Sequence, residues 1–208
     1  MKNVLRITRT AISAAAALLA TAAQAAPVAY TLDPDHLVPR FEVLHNGFSL
    51  HTGAFMKSTG KAMLDTDAKS GSVEVTTQTA SFLTGHAFME SVMKGKDFFN
   101  VEQFPTMSFK STRFNFQGDK PATVDGELTL LGVTKAISFN VTYFNCGPHP
   151  RTKKDQCGGN FSTTIKRSDF GMKAFLPAIG DDVKLNIQVE AFKDLFRPGP
   201  MALTFGSF

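Results

Sequence analysis

The 208-residue chain reads as all-β: an antiparallel sheet of about eight strands with one short helix inserted. Three observations predict this. Apolar and polar residues alternate in seven separate segments. Clusters rich in Gly, Pro, Asp and Lys punctuate them, as in Asp67–Gly71, Gly118–Pro121 and Gly180–Asp182. Most gaps are too short for the helical crossovers that parallel strands need. One dry face and one wet face per strand fit a closed barrel or a sandwich.

Along the chain, Phe41, Val43 and His45 share a parity, which opens the sheet. Val73, Val75, Thr77 and Thr79 alternate with Glu74, Thr76 and Gln78. Gly85–Lys96 breaks the pattern. There Phe88 and Val92 fall four apart, as do Met89 and Met93, one apolar face of a short helix. Such a helix either lies across an opening as a lid or packs on the sheet; methionine adapts to both. Met107 and Phe109 flank Ser108, and Val124, Gly126, Leu128 and Leu130 alternate with Asp125, Glu127 and Thr129. Ile137, Phe139, Val141 and Tyr143 follow, then Phe161, Thr163 and Ile165. The cleanest run closes the set: Val183, Leu185, Ile187, Val189 and Ala191 alternate without error with Lys184, Asn186, Gln188 and Glu190.

Both ends lie outside this pattern. Lys2, Arg6 and Arg9 precede an Ala-rich run and Ala23-Gln24-Ala25, so residues 1–25 read as a cleaved export signal. The apolar run is short for a membrane span of about 20 residues. The domain then covers 26–192, and 193–208 is a tail. Three of the 22 basic side chains leave with the signal and no acidic one does. The remainder holds 19 basic against 18 acidic groups, a formal +1, which points away from nucleic-acid partners. Export to the periplasm or beyond is an oxidising address. Cys146 and Cys157 there read as one disulfide closing a hairpin loop, not as metal or redox thiols.

Catalytic chemistry finds no motif. The five histidines form no metal-ligand spacing, and neither a nucleophile elbow nor a phosphate loop is present. The expectation is therefore a non-enzyme with no metal and no cofactor. His45 reads as a hydrogen-bonded core histidine. Arg167 falls on the apolar parity at the end of its strand. It either pairs with an acid such as Asp169 or Asp97, or anchors a polar head group.

The ordered segments Tyr30–His36, Phe41-x-Val43-x-His45, Gly53-x-Phe55, Asp97–Val101 and Phe104–Phe109 carry a family pattern. So do Gly126–Lys135, Arg167–Met172 and Ile179–Val183. Together they resemble the YceI-like family of periplasmic polyisoprenoid-binding proteins, over about Tyr30 to Phe192. That resemblance implies a lipocalin-like, eight-stranded barrel whose pore takes an isoprenoid chain, often that of a quinone, with no catalytic residues. Leu37 stands where a small polar residue is usual, and the Cys146–Cys157 loop and the tail are additions.

The chain has 20 Phe, two Tyr and no Trp, large rings almost without hydrogen-bonding groups. Such walls suit a lipid chain, which gains roughly 0.8 kcal/mol per buried CH₂. The expected lining is Phe41, Val43, Phe139, Val141, Phe161, Ile165, Leu185 and Ile187, with Phe88, Met89, Val92 and Met93 closing it and Arg167 at the head group. The expected partners are an isoprenoid lipid or quinone and, transiently, a membrane or membrane protein. The alternative is a secreted interaction protein with a filled barrel, since eight strands can enclose either packed side chains or one ligand.

Overall fold

The computed structural model describes residues 27–195. Its strands form one antiparallel sheet that closes on itself. β1 (Val28–Leu32) and β2 (Val38–His45) lie end to end along β11 (Ile179–Lys193), β1 on its C-terminal part and β2 on its N-terminal part. β3 (Ser49–Phe55) and β4 (Ser58–Asp65) share one position in the same way, as do β5 (Ser70–Gln78) and β6 (Phe82–Leu83). With β7 (Thr106–Gln117), β8 (Lys120–Leu130), β9 (Val133–Pro148), β10 (Asp155–Lys166) and β11, eleven strands make an eight-position barrel.

The breaks have local causes. Between β1 and β2, the Asp33 carboxylate accepts from the Asp35 N–H at 3.0 Å and contacts His36 Nδ1 at 2.8 Å, an Asx turn that lifts the chain out of the ladder. Leu37, fully buried, returns it to a cluster with Leu32 and Ala191. Between β5 and β6, Thr79 sits in a 3₁₀ turn, its hydroxyl donating to Phe104 O at 2.7 Å. Thr79 is therefore buried by a turn and not by the strand alternation that the sequence shows.

Two bulges change which side chains face in. In β9, Asn160 pairs with Tyr143 but Phe161 with Val141, so Thr142 is an extra residue. Beyond it the parity flips: Tyr143 is 60% exposed, contrary to the expected alternation, and Phe144 faces inward. Thr112 does the same in β7, turning Phe114 inward after Phe109.

The inserted helix, α1 (Ala87–Lys94), is two residues shorter at each end than the sequence pattern. His86 caps it, Nδ1 accepting from the Met89 N–H at 3.4 Å, while Glu90 accepts from the N–H groups of Thr84 and Gly85 at 2.9 and 3.0 Å. That pairing holds the Glu90 carboxyl below its ordinary range, the Thr84 N–H contributing most. α1, the β2–β3 hairpin and the β10–β11 connection all lie at one end of the barrel; short hairpins close the other. At the α1 end, Phe41, Phe55, Phe82 and Phe99 pack ring on ring, with Phe55 and Phe99 edge to face at 5.0 Å. Gly53 makes room for this nest: a Cβ there would stand 2.8 Å from the rings of Phe41 and Phe82.

The expected signal segment 1–25 and residues 196–208 of the tail lie outside the described residues. No helix among the described residues is long and apolar enough to cross a membrane.

Candidate functional site

The barrel is hollow. A cavity of ≈ 760 Å³ runs inside it, walled almost entirely by apolar side chains. The alternation of β11 explains the wall: Val183, Leu185, Ile187, Val189 and Ala191 all face the cavity, and Ile179 joins them. From Ile179 to Ala191 the strand rises about 40 Å, or about 30 Å along the axis at the usual barrel tilt. A volume of ≈ 760 Å³ bordered over that length is an elongated cavity. A hydrocarbon chain fits such a cavity with its carbons about 3.5–4.0 Å from the wall atoms.

Of the expected lining residues, Phe41, Val43, Met89, Met93, Phe139, Phe161, Ile165, Arg167, Leu185 and Ile187 stand around this cavity. Three stand elsewhere. Phe88 is 70% exposed on the outer side of α1, because Met89 and Met93 take the inward face. Val92 packs on the aromatic cluster from outside the cavity. Val141, next to the bulge, is half-buried but outside the lining. Phe114 and Phe144 line the cavity and were missed, since both follow a bulge that no local sequence signal marks.

Residues 30–191 match the family model of the YceI-like domain. The chain belongs to the YceI-like family. A UPF0312 protein of Pseudomonas putida is 33% identical over 192 residues, spanning 91% of this chain and 98% of the relative. The YCEI protein of Campylobacter jejuni superposes with a TM-score of 0.63 at 25% identity, over 73% of this chain and 90% of that one. A polyisoprenoid-binding domain from Saccharophagus degradans, implicated in plant cell wall breakdown, shares the fold with a TM-score of 0.61 at 16% identity, over 80% and 99%.

Within this YceI-like barrel, Arg167 meets neither expected acid. It is 3% exposed, and its guanidinium donates to four backbone carbonyls. Nε reaches Gly180 O at 2.8 Å, Nη1 reaches Met172 O at 2.9 Å, and Nη2 reaches Ala174 O and Ile179 O at 2.9 and 2.8 Å. Burial pushes its pKa down and the nearby Asp181 opposes that. Asp181 itself accepts from the Ser168 N–H at 2.9 Å and hydroxyl at 2.8 Å, which hold its carboxyl below the ordinary range. Arg167 is thus a staple for the β10–β11 connection. Its planar, multi-donor fork suits several carbonyls at once.

The YceI-like cavity has its mouth at the α1 end, where its lining residues Leu50, His51, Thr52 and His86 are exposed. His45 also stands there, half-buried, its ring stacked on His51 with centroids 4.3 Å apart and planes 8° apart. It is a rim residue and not the core histidine expected. Phe48 on the β2–β3 hairpin is 92% exposed, and Leu44, Leu50, Phe88, Phe175 and Leu176 are exposed on the elements around it. Hydrogen bonding of Asn46 N–H to Ala178 O ties the hairpin to the Phe175–Ile179 loop. Cys146 and Cys157 form the expected disulfide, as register partners at the opposite end. Among the described residues no His, Cys, Asp or Glu group stands close enough to hold a metal ion.

Proposed function

We propose that this chain is a periplasmic container for one long-chain isoprenoid lipid, such as an isoprenoid quinone. The supporting observation is the elongated cavity with its almost wholly apolar wall. A branched, unsaturated hydrocarbon thread gains roughly 0.8 kcal/mol per CH₂ on leaving water, and the wall demands no polar partner in return. The family relationship and the polyisoprenoid-binding neighbour of the same fold support the same ligand class. The disulfide fits an oxidising compartment.

Such a lipid lives in a bilayer and cannot cross water alone. The exposed Phe48, Leu50, Phe88 and Phe175 surround the cavity mouth, so the rim touches a membrane while the lipid passes. No step in this reading is chemical; the barrel carries or stores. Mass spectrometry of organic extracts from the purified protein tests it. A co-purifying isoprenoid is expected. Protein that is repeatedly lipid-free, and that takes up no isoprenoid from vesicles, overturns the reading.

A further inference from the structure

Far from α1 the cavity ends against aromatic rings, and the two bulges put two of them there. Phe114 on β7 follows the extra residue Thr112, and Phe144 on β9 follows Thr142; both face the cavity. Tyr30 on β1 joins them at that end. The positions two residues further out on the same strands, Val28, Phe116 and Cys146, do not line the cavity. The space therefore stops at the level of the three rings. Around them the wall is shut: Leu64, Cys157 and Ala191 are buried. Gly71 gives Phe114 its place, since a Cβ there would stand 3.0 Å from the ring. Tyr30 pairs in register with Lys193, whose ammonium meets the Asp155 carboxylate at 3.5 Å on the exposed rim. Those two charges act on the Tyr30 hydroxyl, which lies at the outer edge with its ring below.

We propose that Phe114 and Phe144, with Tyr30, form a floor that sets the longest isoprenoid chain the protein takes up. The proposal rests on the cavity being an isoprenoid site. A chain that reaches the floor exchanges bilayer for apolar wall along its whole length. A longer one cannot pass the rings, so its excess carbons stay in water at the mouth and cost their hydrophobic free energy. A shorter one leaves lining groups facing empty space and forfeits their dispersion contacts. Chain length is thus read by depth, and the discrimination is steepest on the long side.

The test offers the protein phosphatidylcholine vesicles holding an equimolar, graded series of all-trans polyprenols, then reads the bound lengths by mass spectrometry. For the wild type, occupancy is expected to fall about tenfold for each isoprene unit beyond a cut-off. Phe114→Ala and Phe144→Ala each delete a ring with about the bulk of one isoprene unit, and the surroundings relax only partly. Each should move the cut-off up by about one unit. Ala62→Leu, which fills the cavity beside Tyr30, should move it down and decides the matter if the phenylalanine variants fail to fold. Tyr143→Ala deletes the neighbouring ring on the outer face and should leave the cut-off in place. Bound lengths without a cut-off overturn the floor, as does a cut-off that the folded cavity variants leave unmoved or that Tyr143→Ala moves equally; polyprenol uptake in those cases leaves the container reading standing. If the wild type takes up no polyprenol of any length, the container reading itself falls, and the floor with it.

Discussion

Replacing Arg167 distinguishes a structural staple from a ligand anchor. Arg167→Met keeps the stem and removes the fork. Four carbonyl acceptors then lose their donor. The bond to Met172 O is buried, and an acceptor stranded there costs about 1–3 kcal/mol. The other three are part-buried, so water recovers much of each loss. The expected destabilisation is about 3–5 kcal/mol, a fall in Tm of roughly 6–20 °C for a chain of this size. Arg167→Lys, with a point charge and no planar fork, recovers only part of it. The assay is thermal unfolding of lipid-free protein, followed by lipid titration of whatever remains folded. An anchor predicts the reverse pattern: relief of a buried charge leaves the lipid-free protein as stable or more so, and the loss appears in affinity alone. That result would refute the staple.

Ile187→Trp places an indole in the middle of the bore. It should abolish lipid uptake while leaving Tm within a few degrees, whereas in a filled core the same overpacking costs about 1–3 kcal/mol; calorimetry and lipid extraction check both. Phe48→Asp and Phe88→Asp remove exposed rings that shelter in a bilayer, each worth roughly 1.5–3 kcal/mol when buried. Transfer of lipid from vesicles should slow at least tenfold with equilibrium affinity unchanged; equal slowing of both variants' release into detergent would argue against membrane contact. Asp181 has a depressed carboxyl pKa because Ser168 donates to it twice. The stability it contributes is present above the ordinary Asp pKa of about 3.9 and is lost as pH falls through the lower folded value. Tm measured against pH should therefore drop in acid below about pH 4, and Asp181→Asn should flatten that limb.

The strand pattern was legible because alternation is a local rule. Val183 to Ala191 shows it without error, and every apolar member faces the cavity. The disulfide was legible from two cysteines bracketing a turn-rich loop, and α1 from its four-residue spacing. The order of the family segments also marked the family, whose model matches residues 30–191.

Three-dimensional closure decided the rest. An added residue at Thr142 or Thr112 leaves no trace in composition, yet it reverses the facing of everything after it, so Tyr143 and Phe144 exchange roles. Which face of α1 turns inward depends on β6 and the connection that follow the sheet round, and that choice left Phe88 outside and Met89 inside. Arg167 found carbonyls because the β10–β11 connection curls round it, an arrangement made by residues up to 13 positions away. The amino-acid order alone determined that inward groups would be greasy. Whether they meet at the axis or stand apart depends on the radius at which eight positions close, and that radius is a property of the whole ring.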